Sequence, residues 1–498
     1  MRVTGFFVVV FALLFAALGF GLWAAPEELA GGLQVGALSP EGVSTLRADL
    51  GGLFVALAAL CFAGVWTRRA MLLQAAALIL VTIVVGRLMG VVDDGLPGGV
   101  PRALVIEIAA IVALVLHGRG LGRSEAPERA GLTRAILLVV GLGVAAKLGL
   151  SAALANPTVQ QKIFERAVAQ RMGADNSALL ADDALRVAVC GTSAPLPSKT
   201  RAKACVAVIA GGKFYIVDVG PESVENLMQW GIPLDRIGGV LITHFHSDHI
   251  GDLGELNLQT WAQGRPAPLD VHGGPGVDQV VDGFNQAYRI DQGYRTVHHT
   301  AKMMPPETWP LVARTVEMAG PATPAKARTG LVFDDGKLKI TAIEVDHGPI
   351  EPAYAYRFDY KGRSVVISGD MKNHPPLARA AMGADVMVSE AIARPMIQTM
   401  EAGAKGLGRG RVERIMHDIQ DYHVSPQEAA VLANQAKVKL LVFYHLLPAP
   451  DGMIARRTFE SGIEAARDGD WTLADDGSLY TLPLGSKEVR IGRVPRAP

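Results

Sequence analysis

The chain has 498 residues, half of them hydrophobic, and its 48 Lys and Arg balance its 48 Asp and Glu to a formal net charge of zero. Such a length allows roughly two to four domains. The balanced charge gives no support to a broadly basic nucleic-acid-binding protein, although it leaves room for a local basic patch.

The first third and the remainder are different materials. Apolar stretches run from roughly Gly5 to Ala25, Leu50 to Trp66, Met71 to Val92, Ala103 to Leu116 and Ala135 to Ala155. Each approaches the roughly 20 residues a helix needs to cross a hydrocarbon core, the second and fourth being short. Residues 1–155 are therefore expected to form an all-α membrane domain of about five transmembrane helices. A competing reading makes residues 1–25 a cleaved signal peptide, with Ala24-Ala25 before the cut.

Arg2, Arg68, Arg69, Arg119, Arg123, Arg129 and Arg134 fall on one set of loops. The opposite loops carry Glu27, Glu28, Glu41, Asp49, Asp93 and Asp94 against only Arg47 and Arg102. The positive-inside rule then places everything after Ala155 outside, which means a bacterial inner-membrane protein whose later domain faces the periplasm. Arg87, Glu107 and Lys147 are costly in lipid, so an Arg87–Glu107 pair or snorkelling near the span ends is expected. The segment from Ser44 to Phe62 faintly resembles an uncharacterised four-helix bacterial membrane domain, which assigns no activity.

Residues 156–184 form the connection, with Val159, Ile163, Phe164 and Val168 at the spacing of a short amphipathic stalk helix. From 185 to 498 the pattern alternates. Strand candidates are Leu185–Val189, Cys205–Ala210, Phe214–Val219, Gly239–Thr243, Leu338–Val345, Tyr354–Tyr360, Ser364–Ser368, Val386–Ser389 and Leu440–Tyr444. Helix candidates are Glu222–Trp230, Gly254–Ala262, Val277–Ala287, Pro426–Gln435 and Ile454–Ala466, while the Pro-rich run from Met304 to Ala327 looks like a surface excursion. A sheet, helices, a second sheet and more helices fit a layered α/β sandwich. Of three cysteines, Cys61 lies in a span. Cys190 and Cys205 flank one loop, where an oxidising compartment would permit pairing and two separately buried thiols would look the same.

The chemistry concentrates in Thr243-His244-Phe245-His246-Ser247-Asp248-His249, which follows an apolar run. Strand period aims His244 and His246 to one side, and the loop turns Asp248 and His249 toward a second position, a spacing that suits two adjacent metal ions. His347, Asp370 and His445 each follow or end a further strand candidate, where side chains of one sheet converge on a common edge.

At these residues the chain resembles the metallo-β-lactamase superfamily, within it the ribonuclease Z and arylsulfatase-like branch, over about Val187 to Leu447. The resemblance implies an αββα sandwich in which His244, His246 and His347 hold one zinc ion, Asp248, His249 and His445 hold another, and Asp370 bridges them. Manganese or iron would also suit such donors. Asp218 matches an early aspartate that supports the metal loop. Asp370, where many zinc β-lactamases carry cysteine, makes antibiotic hydrolysis an unsuitable assignment.

Glu390 in Ser389-Glu390-Ala391 and His423 in His423-Val424-Ser425 resemble a Glu and His pair linked to protonating the leaving oxygen. Asp248, His423 and Glu390 are thus the expected catalytic residues. The implied reaction is hydrolysis of a phosphodiester or sulfate ester by a hydroxide shared between the ions. The partners expected are a small anionic ester and the bilayer, and a homo-oligomer is compatible with the sequence. About 22 residues separate His347 from Asp370, leaving no room for the tRNA-gripping arm of many ribonuclease Z enzymes, so no tRNA is expected. The alternatives are a ribonuclease Z-type endoribonuclease, a thioester or lactone hydrolase, or a sensor that signals through the spans. His272, His298, His299 and His374 fall to structural or substrate-lining roles, and Gly273-Gly274-Pro275-Gly276 to a turn or an anion site at a helix start.

Overall fold

A computed structural model describes residues 3–24, 26, 29, 33, 40–94, 100–121, 152–153, 155–173, 175–323 and 326–495. The chain divides into two compact units, Met1–Glu165 and Arg166–Pro498.

The first unit is helical. Helices α1 (Val3–Ala24), α2 (Gly52–Trp66), α3 (Ala70–Asp94) and α4 (Val100–Leu121) are its long elements, and a short π-helical stretch at Leu46–Gly51 leads into α2. Four candidate spans, Val3–Ala24, Gly42–Trp66, Ala70–Met89 and Ala103–Leu121, are long and apolar enough to cross a membrane. The fifth predicted span, apart from residues 152, 153 and 155, lies outside the described residues, as do Lys147 and the cations at 123, 129 and 134. Val8, Ala12, Leu57, Ala58, Cys61, Leu73, Ala76 and Ala110 make a common core. Leu13, Phe20, Val105 and Ile108 face outward. Arg87 Nε meets Glu107 Oε1 at 2.7 Å, so the costly charges are paired.

Helix α5 (Pro157–Met172) covers the amphipathic stretch read as a stalk, and its Ile163 and Phe164 are exposed. In the second unit the strands are β1 (Ala184–Gly191), β2 (Cys205–Ala210), β3 (Lys213–Val219), β4 (Ile237–Leu241), β5 (Leu269–Gly273), β6 (Leu311–Thr315), β7 (Thr329–Asp334), β8 (Leu338–Glu344), β9 (Tyr354–Tyr360), β10 (Arg363–Ile367), β11 (Val386–Ile392), β12 (Leu440–Leu447), β13 (Asp470–Leu473), β14 (Ser478–Pro483) and β15 (Arg490–Arg493). They form two sheets, ordered β15-β14-β1-β2-β3-β4-β5-β6 and β13-β12-β11-β10-β9-β8-β7.

The strands read as unbroken apolar runs because both of their faces are covered. In β1, Val187 and Val189 enter the core between the sheets while Ala188 and Cys190 face helices. In β12, Leu440, Val442 and Tyr444 face the other sheet, and Leu441 and Phe443 face the opposite helical layer. The outer layers are α6 (Ser223–Gln229), α7 (Leu253–Ala262) and α8 (Val277–His299) on the first sheet, and α11 (Pro426–Gln435), α12 (Met453–Glu460) and α13 (Ile463–Ala466) on the second, with α9 (Arg394–Gly406) and α10 (Gly410–Asp418) preceding α11. The result is the expected αββα sandwich.

Several expectations need correction. The Pro-rich excursion contains β6, which pairs in parallel with β5 at the edge of the first sheet, where neighbouring prolines cost no ladder bond. Helix α8 runs to His299 rather than Ala287, and the predicted helix from Ile454 to Ala466 is broken into α12 and α13 at Gly462, whose φ is +80°. Asn176, in the expected linker, donates to the carbonyls of Trp230 and Pro495 at 2.5 and 2.8 Å, tying that segment to the sandwich.

Candidate metal centre

Strands β3 and β4 are parallel, as are β10, β11 and β12, and the antiparallel β9 between β8 and β10 makes those two run alike. Their carboxyl ends deliver His244, His347, Asp370, Glu390 and His445 to one edge. Asp218 and His445 are positioned at one-residue bulges. In β3, Val206 pairs with Val217 and Cys205 with Val219, so Asp218 is the extra residue; its φ is +57°. In β12, Phe443 faces Ser389 and Leu446 faces Ala391, which places the extra residue in Tyr444–His445, and φ at His445 is +43°. Non-glycine residues at positive φ store strain of about 1–3 kcal/mol each and persist where the surroundings fix them.

Asp218 organises the metal loop. Its Oδ1 accepts from Thr243 N and its Oδ2 from Thr243 Oγ1, both at 2.8 Å, and Oδ2 lies 2.7 Å from His249 Nδ1. The His347 Nδ1 is 2.8 Å from the Tyr422 carbonyl, and the His244 Nδ1 is 3.2 Å from Thr243 Oγ1. Each ring is therefore held through Nδ1, leaving Nε2 to the centre. The Nε2 atoms of His244, His249 and His347 and the Oδ1 of Asp370 are buried with no hydrogen-bond partner. Buried polar atoms are normally satisfied, and orphans of this kind signal a ligand.

The donor set fits metal ions. His244, His246 and His347 form one group, and Asp248, His249 and His445 another, with the ligand atoms of each group within 4.8 Å of one another. His445 Nε2 is 3.2 Å from Asp248 Oδ2, and His249 Nε2 is 3.5 Å from the same oxygen. Asp370 lies between the groups, with Oδ2 3.4 Å from His249 Nε2, 3.9 Å from His347 Nε2 and 4.0 Å from His244 Nε2. Donors around a tetrahedral ion with bonds of about 2.0–2.1 Å sit about 3.4 Å apart, the scale found here.

Burial pushes the imidazoliums of His244 and His347 down, the latter to about 4, so their nitrogens offer lone pairs. Burial opposes charge on Asp248 too, but His249 and His445 hold its carboxyl down to about 2. His249 goes the other way: burial lowers it, yet Asp370, Asp218 and Asp248 together lift it well above the ordinary imidazole value. A cation taking that place displaces a proton.

Glu390 and His423 meet behind Asp370. His423 Nδ1 lies 3.2 Å from both Glu390 oxygens and 3.9 Å from Asp370 Oδ2. Glu390 Oε1 also accepts from Met371 N and Val424 N at 3.1 Å. Burial, then Asp370, lifts the Glu390 carboxyl, and burial lowers the His423 imidazolium. Both directions favour the uncharged form of each group. A cavity of about 760 Å³ borders His347, walled by Tyr354, Arg328, Glu344, Asp346 and His374 among others.

All the predicted ligands and the Glu390–His423 pair thus converge. Thr243 and the Tyr422 carbonyl were not singled out from sequence, although Thr243 directly precedes His244. His272 sits in β5, and His298 and His299 end α8, exposed. Gly274 lies where a Cβ would meet Pro352 at 2.2 Å, so close packing explains that turn. Cys190 and Cys205 are joined in a disulfide.

The fold and donor set define a metal-dependent hydrolase. Comparison with known proteins agrees: the β-lactamase superfamily domain matches residues 215–446. Ribonuclease Z of Mycobacterium marinum is 32% identical over 268 residues, covering 53% of this chain and 87% of that protein. Ribonuclease Z of Mycolicibacterium paratuberculosis is 32% identical over 298 residues, covering 59% of this chain and 96% of that protein. The crystal structure of human tRNase Z, short form, aligns at 21% identity with a TM-score of 0.42 over 60% of this chain and 99% of that one. The chain belongs to the metallo-β-lactamase superfamily, with relatives named ribonuclease Z. Residues 3–117 match a domain of unknown function, DUF4345.

Proposed function

We propose that this chain hydrolyses a phosphodiester, with its catalytic unit held at the periplasmic face of a membrane. The observation that carries this reading is the buried Glu390–His423 pair 3.9 Å from Asp370. A hydrolase whose leaving group is an alkoxide needs a proton at that oxygen, and an imidazole held by a buried carboxyl group can supply it. The relatives' name, ribonuclease Z, favours a phosphodiester over a sulfate ester.

Two zinc ions, or manganese or iron, held by His244, His246 and His347 and by Asp248, His249 and His445 with Asp370 between, would supply Lewis acidity and a nucleophile near neutral pH. Asp218 and the Tyr422 carbonyl keep His249 and His347 oriented. Asp248 neutralises cationic charge, and the cavity beside His347 receives the ester's remaining group.

His423→Ala should cut turnover by about 10²–10⁴-fold for a dialkyl phosphate and far less for bis(p-nitrophenyl) phosphate, whose leaving group needs no proton. Equal losses on both substrates would remove the proton-donor role, and turnover of aryl sulfates alone would remove the phosphodiester reading. The second reading, an endoribonuclease, draws on the 32% identity to ribonuclease Z. Against it, the segment between His347 and Asp370 is spent on β9 and β10. The fifth apolar stretch read from the sequence, Ala135 to Ala155, makes the span count odd, and with the Cys190–Cys205 disulfide it supports an extracytoplasmic site. A reporter fused after Pro498 that works only in the cytoplasm would reverse the topology and favour RNA.

A further inference from the structure

Between Glu390 and His423 the chain leaves the sandwich to form α9 and α10, which pack on each other. Their base is well tied. Ile397 and Met416 bury against Ala194, Ile392 and Leu447, and Arg394 reaches the His423 carbonyl and Glu428, both at 2.9 Å. His417 and Gln420 meet Glu401 at 3.1 and 2.9 Å.

The far end is different. Every residue from 405 to 412 is exposed. Leu407 is 73% exposed, Ile415 54%, Val412 42% and Met400 41%. Among them stand Lys405, Arg409, Arg411 and Arg414 against Glu401 and Glu413, with Glu413 3.8 Å from Lys405 and Arg414 paired to Asp418 at 2.9 Å, so that Arg409 and Arg411 dominate the tip. Contiguous exposed apolar groups mark a contact surface. A nucleic-acid surface calls for the cations but gains little from Leu407, Val412 and Ile415, whereas apolar side chains interleaved with Lys and Arg match the headgroup boundary of an anionic bilayer. Among the described residues the same chain carries four helices long and apolar enough to cross a membrane, which makes lipid the occupant to test.

We propose that the tip of the α9–α10 hairpin docks on an anionic lipid surface, with Leu407, Val412 and Ile415 entering the headgroup boundary and Lys405, Arg409, Arg411 and Arg414 meeting phosphates. The hairpin leaves β11 just after Glu390 and returns to the sandwich at His423. Docking therefore brings the proton-donor side of the metal centre to the lipid. Resting on the phosphodiesterase reading, this makes the ester that of a lipid headgroup.

The test uses the full chain with Cys61→Ser and Leu407→Cys, labelled with an environment-sensitive nitrobenzoxadiazole group and reconstituted into phosphatidylcholine–phosphatidylglycerol vesicles. The label should emit at shorter wavelength, and be quenched severalfold more by a shallow nitroxide lipid, than the same label on Lys337→Cys in the exposed β7–β8 turn. High salt or Arg409→Glu with Arg411→Glu should reduce that quenching. Identical emission and quenching at the two positions would overturn the docking, as would shielding of the Leu407 label that requires added structured RNA. Bis(p-nitrophenyl) phosphate separates the two claims. Turnover without lipid immersion overturns docking alone, and immersion without any phosphodiester turnover overturns the reaction while docking stands.

Discussion

His244, His246 and His347 offer an ion three imidazoles, and His246 is only partly buried. Asp248, His249 and His445 are all buried and include a carboxylate, with Asp218 placed 2.7 Å behind His249. In the proposed two-ion arrangement, an ion in the second group would meet Asp248 and the nearby Asp218 as well as the shared Asp370, whereas an ion in the first would meet three imidazoles and Asp370 beside a more open flank. On that proposal the centre would pair a tight anchor with a looser position suited to exchanging ligands.

The strongest way to break that comparison is to remove what both groups share. Asp370→Ala should lose both metal stoichiometry and turnover, by more than the about 10–100-fold typical of residues that merely support a ligand. Elemental analysis beside the phosphodiesterase assay checks it, and a variant that keeps two ions would contradict the bridging position. Asp218→Asn should sharpen the contrast, weakening metal affinity about 10–100-fold at the Asp248 group while leaving the His246 group nearly intact. Chelator titration of the wild-type chain should accordingly pass through a one-ion species, which Asp218→Asn removes; concerted release from the wild type would erase the asymmetry. The smallest effect belongs to Cys190→Ser with Cys205→Ser. Opening a 15-residue separation should cost about 3 kcal/mol of stability in denaturant melts, with metal content unchanged.

The ligands were legible because four of them lie within Thr243–His249 and the others end apolar strands. The strands were legible where both faces are buried, as in β2, β9 and β12. What escaped reading has physical causes. In β5, Asp270 and His272 are only partly buried and interrupt the apolar run, and β6 hides among prolines at a sheet edge. The bulges at Asp218 and His445 leave no mark in sequence, because an extra residue in a ladder is visible only against its partner strand. Holding His347 by the Tyr422 backbone carbonyl likewise uses a group every residue possesses. The α9–α10 hairpin was missed because its apolar positions are sparse and set among glycines and cations.

His445 meets Asp248 across 197 positions of chain. An ion gripped by both would clasp the loop after β4 in the first sheet to β12 in the second. Closing so long a loop removes much freedom from the unfolded chain, and an ion that binds only the folded form draws the equilibrium toward it. On the proposed metal loading, the ion that serves chemistry would also be part of the architecture, so that metal scarcity would threaten the protein's lifetime as well as its turnover.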